Sequence, residues 1–103
     1  MMKEILDKRK RTVGFVDGST IYNLSREIAG HVESNEIKDR LNTVVGFVDK
    51  NKILDRDYRI VAYFFDNWVE GAYSRKLGYA LTDDLDELAC AAAYLSILQH
   101  HWI

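Results

Sequence analysis

The 103-residue chain has no proline, a single cysteine and only six glycines. Without a second cysteine it has no internal disulfide, and the fold stands on its apolar core. Without proline every backbone N–H stays available for pairing, as a sheet of regular strands requires. Charge of one sign is missing too: 14 basic against 16 acidic side chains leave a net charge of -2, which gives no global pull towards nucleic acid or an anionic membrane. The longest uncharged stretch, Leu88 to Ile103, is interrupted by Ser96, Gln99, His100 and His101. It falls short of the ~20 apolar residues that span a bilayer. The opening MMKEILDKRKRTV lacks the apolar segment of a secretory signal. These absences predict a soluble, cytoplasmic protein with neither nucleic acid nor membrane as a partner.

What is present is an apolar fraction of 48% in a chain long enough for one domain and too short for two. Laid against itself, the chain repeats. Gly14-Phe15-Val16-Asp17 returns as Gly46-Phe47-Val48-Asp49, with Gly30-His31-Val32-Glu33 halfway between. At a period of sixteen the units read GFVDGSTIYNLSREIA, GHVESNEIKDRLNTVV, GFVDKNKILDRDYRIV and AYFFDNWVEGAYSRKL, and Gly78-Tyr79-Ala80 marks a fifth start. Ile21, Ile37, Ile53 and Val69 share one position, Ser19, Asn35, Asn51 and Asn67 another, and Asn23, Asp39, Asp55 and Gly71 a third.

Sixteen residues are too few for a helical repeat and suit two strands with two turns. Gly18-Ser19, Ser34-Asn35, Lys50-Asn51 and Asp66-Asn67 are rich in residues that accept tight turns. The opposite links, around Leu24-Ser25-Arg26 and Asp55-Arg56-Asp57, read as longer turns. Alternation puts Ile28, Gly30 and Val32, then Val44, Gly46 and Val48, then Ile60, Ala62 and Phe64 on one strand face. Recurrent glycine or alanine at the centre of that face predicts a close approach by something narrow.

The narrow element is the tail. Thr82 reads as an N-cap followed by Asp83, Asp84, Asp86 and Glu87, whose charges favour the positive end of a helix dipole. From Leu85 to Leu98 the segment is apolar almost all round and centred on alanines, which marks a buried helix. The expectation is a mainly β (α+β) single domain: a lead-in over 1–10, four antiparallel β-hairpin repeats over 11–81, and a C-terminal apolar helix over 82–101. The hairpin units pack around or against the helix in a pseudo-fourfold arrangement.

The repeats GFVDGSTIYNLSREIA and GFVDKNKILDRDYRIV, closed by an alanine-rich helix, resemble the bacterial four-fold β-flower proteins. That resemblance implies a ring of four β units about a C-terminal helix, and it carries no catalytic residue over. The fourth unit departs from the pattern, with Phe65 at the acidic position and Gly71 at the Asn/Asp position. Tubby- and scramblase-like barrels, which are longer, are a more distant likeness.

Chemistry-bearing patterns are few. Asp17, Glu33 and Asp49 recur beside turns, where carboxylates supply local hydrogen bonds, and no D-x-D-x-D-G spacing for calcium occurs. His31 takes the place held by Phe15, Phe47 and Tyr63 in other units, and adjacent His100 and His101 point apart on a helix. Cys90, in the alanine run, has no basic neighbour to activate it. Neither a G-x-S-x-G elbow nor a phosphate-binding glycine loop is present. The reading is a non-enzymatic interaction or scaffold module without cofactor or metal. Its candidate surface is aromatic, comprising Tyr63, Phe65, Trp68 and Tyr73 of the fourth unit with Trp102 at the chain end. The partner expected there is another protein or a second copy. The alternative is a small-ligand site between the β units and the helix.

Overall fold

The computed structural model describes residues 2–100. Ten strands follow one another: β1 (Lys3–Asp7), β2 (Thr12–Asp17), β3 (Thr20–Asn23), β4 (Ile28–Glu33), β5 (Glu36–Asp39), β6 (Val44–Asp49), β7 (Lys52–Asp55), β8 (Ile60–Phe65), β9 (Trp68–Gly71) and β10 (Lys76–Ala80). Helix α1 (Leu85–Ser96) and a 3-10 turn (Leu98–His100) complete the order. Each strand pairs antiparallel with its neighbours in sequence, and β1 pairs with β10, so the meander closes into a barrel.

The closing pair corrects the fourfold expectation. Residues 3–7 are a strand rather than a lead-in, and with β10 they make a fifth unit drawn from the two chain ends. Its register, Gly78 opposite Asp7, Tyr79 opposite Leu6 and Ala80 opposite Ile5, reproduces Gly14 opposite Asn23, Phe15 opposite Tyr22 and Val16 opposite Ile21. Ile5 thereby joins Ile21, Ile37, Ile53 and Val69 in a belt of five fully buried side chains.

Strict alternation also fails at one place, and fails alike in every unit. Ile21 faces Gly30 but Tyr22 faces Ile28, which leaves Ala29 as an extra residue; Val13, Val45, Val61 and Leu77 are extra in the same way. A bulge of this kind turns two successive side chains to one side. Val13, Ala29, Val45, Val61 and Leu77 therefore join the core beside the glycine or alanine that follows. Ile28 and Ile60, expected inside, are thrown outward to 53% and 37% exposure.

The turns differ at the two ends of the barrel. At one end two-residue links carry a left-handed residue at Gly18, Ser34, Lys50 and Asp66. At the other, four-residue loops carry it at Lys10, Arg26, Asn42, Tyr58 and Ser74. Each long loop is closed by a backbone hydrogen bond from Asp7, Asn23, Asp39, Asp55 or Gly71 to the carbonyl four residues on.

Helix α1 fills the barrel. It packs against β2, β3, β4, β6, β7, β8, β9 and β10, and Ala91, Ala92 and Ala93 have no exposed surface. The glycine row answers to two neighbours. A Cβ on Gly14 would lie 2.7 Å from both the Tyr22 carbonyl oxygen and Tyr94 Cε2, and one on Gly46 2.5 Å from the Leu54 carbonyl oxygen and 2.8 Å from Ile97 Cδ1. The paired strand thus crowds the position at least as closely as the helix does. Asp84, rather than Thr82, is the N-cap: its Oδ1 accepts from the N–H groups of Asp86 and Glu87. The helix is shorter than expected at both limits. Leu85 is 72% exposed, and after Ser96 the chain tightens into the 3-10 turn. Residue 101, the expected helix end, lies outside the described residues.

Candidate functional site

Polar or aromatic side chains gather at the helix entrance, on the outer wall of β8–β10 and at the long-loop end. At the entrance Glu87 is buried. Its carboxylate accepts from Lys3 Nζ at 3.2 Å, the Gly18 N–H at 2.9 Å and Thr82 Oγ1 at 2.5 Å. Burial pushes the Glu87 pKa up, but the hydroxyl, the N–H and the ammonium together outweigh it and hold the group below its ordinary value. Thr82 Oγ1 also accepts from the Asp84 N–H, which ties the helix start to the linker. The arrangement is an anchor: every partner of the carboxylate is a fixed structural group.

The outer wall gathers part of the predicted aromatic surface. Phe65 and Trp68 are cross-strand partners, their ring centroids 5.7 Å apart, and Tyr79 lies opposite Trp68 on the next strand. Lys76 reaches over the row with Nζ 4.1 Å from the Trp68 ring centre, and donates to Tyr79 Oη at 3.0 Å. Trp68 Nε1 is buried and, among the described residues, has no hydrogen-bond acceptor. Phe65 is 39% exposed and shares a cleft with Leu85. Tyr63 is half-buried between Lys52 and Glu70. Tyr73 lies apart, in the β9–β10 loop at the opposite end, fully in solvent. Trp102 lies outside the described residues. Tyr79 belongs to the row and was missed because it falls in the split fifth unit; its place, sixteen residues after Tyr63, was a usable signal.

Turn type separates charge along the barrel axis. The five long loops carry Lys8, Arg9, Lys10, Arg11, Arg26, Arg40, Arg56, Arg59 and Arg75 against Glu27 and Asp57. The short turns and the helix start carry Asp66, Asp83, Asp84, Asp86 and Glu87 against Lys50. A near-zero net charge thus conceals a basic end and an acidic one. Within the long loops the strand-end carboxylates Asp7, Asp39 and Asp55 accept from backbone N–H groups two and four residues ahead. Asp7 and Asp55 are held below the usual carboxylate range, chiefly by the N–H groups of Arg11 and Arg59.

Burial, aided by the charges of Asp86, Glu87 and Asp84, pushes the Cys90 thiol up to about 12. His31 sits on the outer wall 3.9 Å from Glu33, His100 at the long-loop end, and His101 outside the described residues. Among the described residues no three His, Cys, Asp or Glu side chains are grouped to hold a metal, and no helix is long and apolar enough to cross a membrane.

Five equivalent units, five bulges and a lumen filled by one helix define the architecture, and the family comparison agrees with it. The model of the 5-fold beta-flower proteins matches residues 2–96. The chain belongs to that family. Neither the curated proteins nor the solved structures give a significant match. The β-flower family fits the resemblance seen in the repeats, with the unit count corrected from four to five. Its description names an architecture, so function has to be argued from the surfaces of this β-flower.

Proposed function

We propose that this β-flower is a non-enzymatic interaction module that self-associates through the outer wall of β8–β10. The observation that carries the reading is the aromatic row Phe65–Trp68–Tyr79 on the outside of a barrel whose inside is already full. A closed barrel has no free sheet edge, so strand addition is not open to it and association runs through side chains. Trp and Tyr dominate the energetics of protein contacts because each brings a large rigid area at little entropic cost. Asp66 and Glu70 alternate with Lys52 and Lys76 around the row, a mixed-sign rim that can face its own copy across a twofold axis. The lumen, by contrast, has helix side chains at contact distance from the glycine row, which favours the surface reading over a ligand held between strands and helix.

Light scattering after size exclusion over a wide concentration range tests this. A dimer that Phe65→Asp converts to monomer supports the module. A wild-type chain that stays strictly monomeric at the highest concentration overturns it.

A further inference from the structure

The clearest irregularity among the long loops concerns an arginine that has lost its carboxylate. In two loops the strand-end aspartate holds the arginine four residues on: Arg11 Nε donates to Asp7 Oδ2 at 2.9 Å, and Arg59 Nε to Asp55 Oδ2 at 3.2 Å. The β9–β10 loop has Arg75 at the same position, but Gly71 stands where the aspartate would be. The backbone bond from the Gly71 N–H to the Arg75 carbonyl is kept at 2.6 Å. The loop is therefore the same loop, and among the described residues the Arg75 guanidinium has no anionic partner. Nothing steric demands the glycine, because a Cβ there meets only ordinary contacts at 3.6 Å and beyond.

Arg75 stands on the wall between two clefts at the long-loop end, of about 660 and 460 Å³. Both have Leu77, Leu95 and His100 in their lining as well as Arg75. The smaller adds Lys8, Arg9 and Lys76 from the neighbouring loop and strand, with Asp7 its one acid and that acid already held by Arg11. An apolar floor, a planar bidentate donor and the neighbouring cations Lys8 and Arg9 around one recess of small-ligand size are what a phosphate group recognises. A basic rim on a protein of otherwise balanced charge also draws anions to that end.

We infer that the cleft beside Arg75, between the β1–β2 and β9–β10 loops and the 3-10 turn, binds a small phosphorylated molecule. The phosphate pairs with Arg75 in the place left by the missing carboxylate, and the apolar part of the ligand lies on Leu77 and Leu95. The site lies at the long-loop end, beside Lys76 of the β8–β10 wall, and does not depend on self-association.

The test is an amide NMR titration of the full chain with inorganic phosphate and pyrophosphate, against sodium chloride at matched ionic strength. Saturable shifts confined to Arg75, Leu77 and residues 95–100, with pyrophosphate binding more tightly than phosphate, are expected. Arg75→Ala should weaken binding roughly tenfold or more. Gly71→Asp should do the same by restoring the internal pair, without lowering the melting temperature, while Lys50→Ala at the opposite end should leave binding unchanged. Unaltered affinity in the two loop variants overturns the inference. So do shifts that merely follow ionic strength, a short DNA duplex that binds more tightly than pyrophosphate and moves all five long loops, or displacement by the acidic end of a second copy.

Discussion

The two ends of the barrel solve the same structural problem in opposite ways. At the short-turn end the linker and helix start are drawn in: Glu87 is buried and shared by β1, the first short turn and Thr82. At the long-loop end Asp7, Asp39 and Asp55 satisfy their own loops, and Arg11 and Arg59 pair with Asp7 and Asp55. Arg75 is exposed, without an anionic partner among the described residues. The first end uses Glu87 to hold helix to wall; the second leaves Arg75 for whatever approaches. Position in one repeat does not decide this, since four of the five units contribute a turn to each end. Turn length does, because a four-residue loop has room for both a carboxylate cap and outward-pointing basic residues.

That contrast can be broken by mutation. The largest effect belongs to the closed end: Glu87→Ala removes a buried carboxylate and strands Lys3, Thr82 and the Gly18 N–H, at a cost of roughly 3–5 kcal/mol in urea unfolding. Because the Glu87 pKa is lowered on folding, its contribution is complete above the ordinary value near 4.5 and lost as pH falls through the folded value. Glu87→Gln should accordingly flatten the stability–pH curve between the lowered folded value and about 4.5 and leave its shape at neutral pH alone. Between the ends, Gly46→Val presses a side chain into the Leu54 carbonyl and Ile97, and should cost about 2–3 kcal/mol; an unchanged melting temperature would show that the helix does not press on the glycine row. Tyr94→Phe deletes the hydroxyl that donates to the Val13 carbonyl at 2.7 Å and should cost about 1 kcal/mol. The smallest effect on stability is expected at the open end. Gly71→Asp should leave the melting temperature equal or slightly higher, and a clear fall would mean that the β9–β10 loop differs from its sisters in more than one side chain.

Much of the fold was legible because the repeat is spelled out in residue types. The belt from Ile21 to Val69, the glycine row and the apolar tail each follow from periodicity and composition. The fifth unit was hidden because its strands lie at opposite chain ends. Gly78-Tyr79-Ala80 marked its second strand, but for the first only Ile5 and Asp7, one period before Ile21 and Asn23, gave a trace, and no glycine precedes them at the expected spacing. The facing of Ile28 and Ile60 was misread because a bulge inverts alternation without changing any residue count. The surface was least legible. A net charge of -2 says nothing about sorting by turn type, and the loss of a carboxylate at Gly71 looks like an irregular repeat until Arg75 is placed beside a cleft.

Closure by the first and last strands has a consequence for how the chain folds. Ile5 meets Ala80 only after nearly the whole meander has formed, so loop-closure entropy opposes the final pairing until late. The element that fills the lumen comes after β10 in the chain, and a ten-stranded wall around an empty centre would have no core to hold it together. Closing the ring and seating α1 are therefore one cooperative step. Refolding should show a single slow phase in which burial of the helix and protection of the β1 amides appear together.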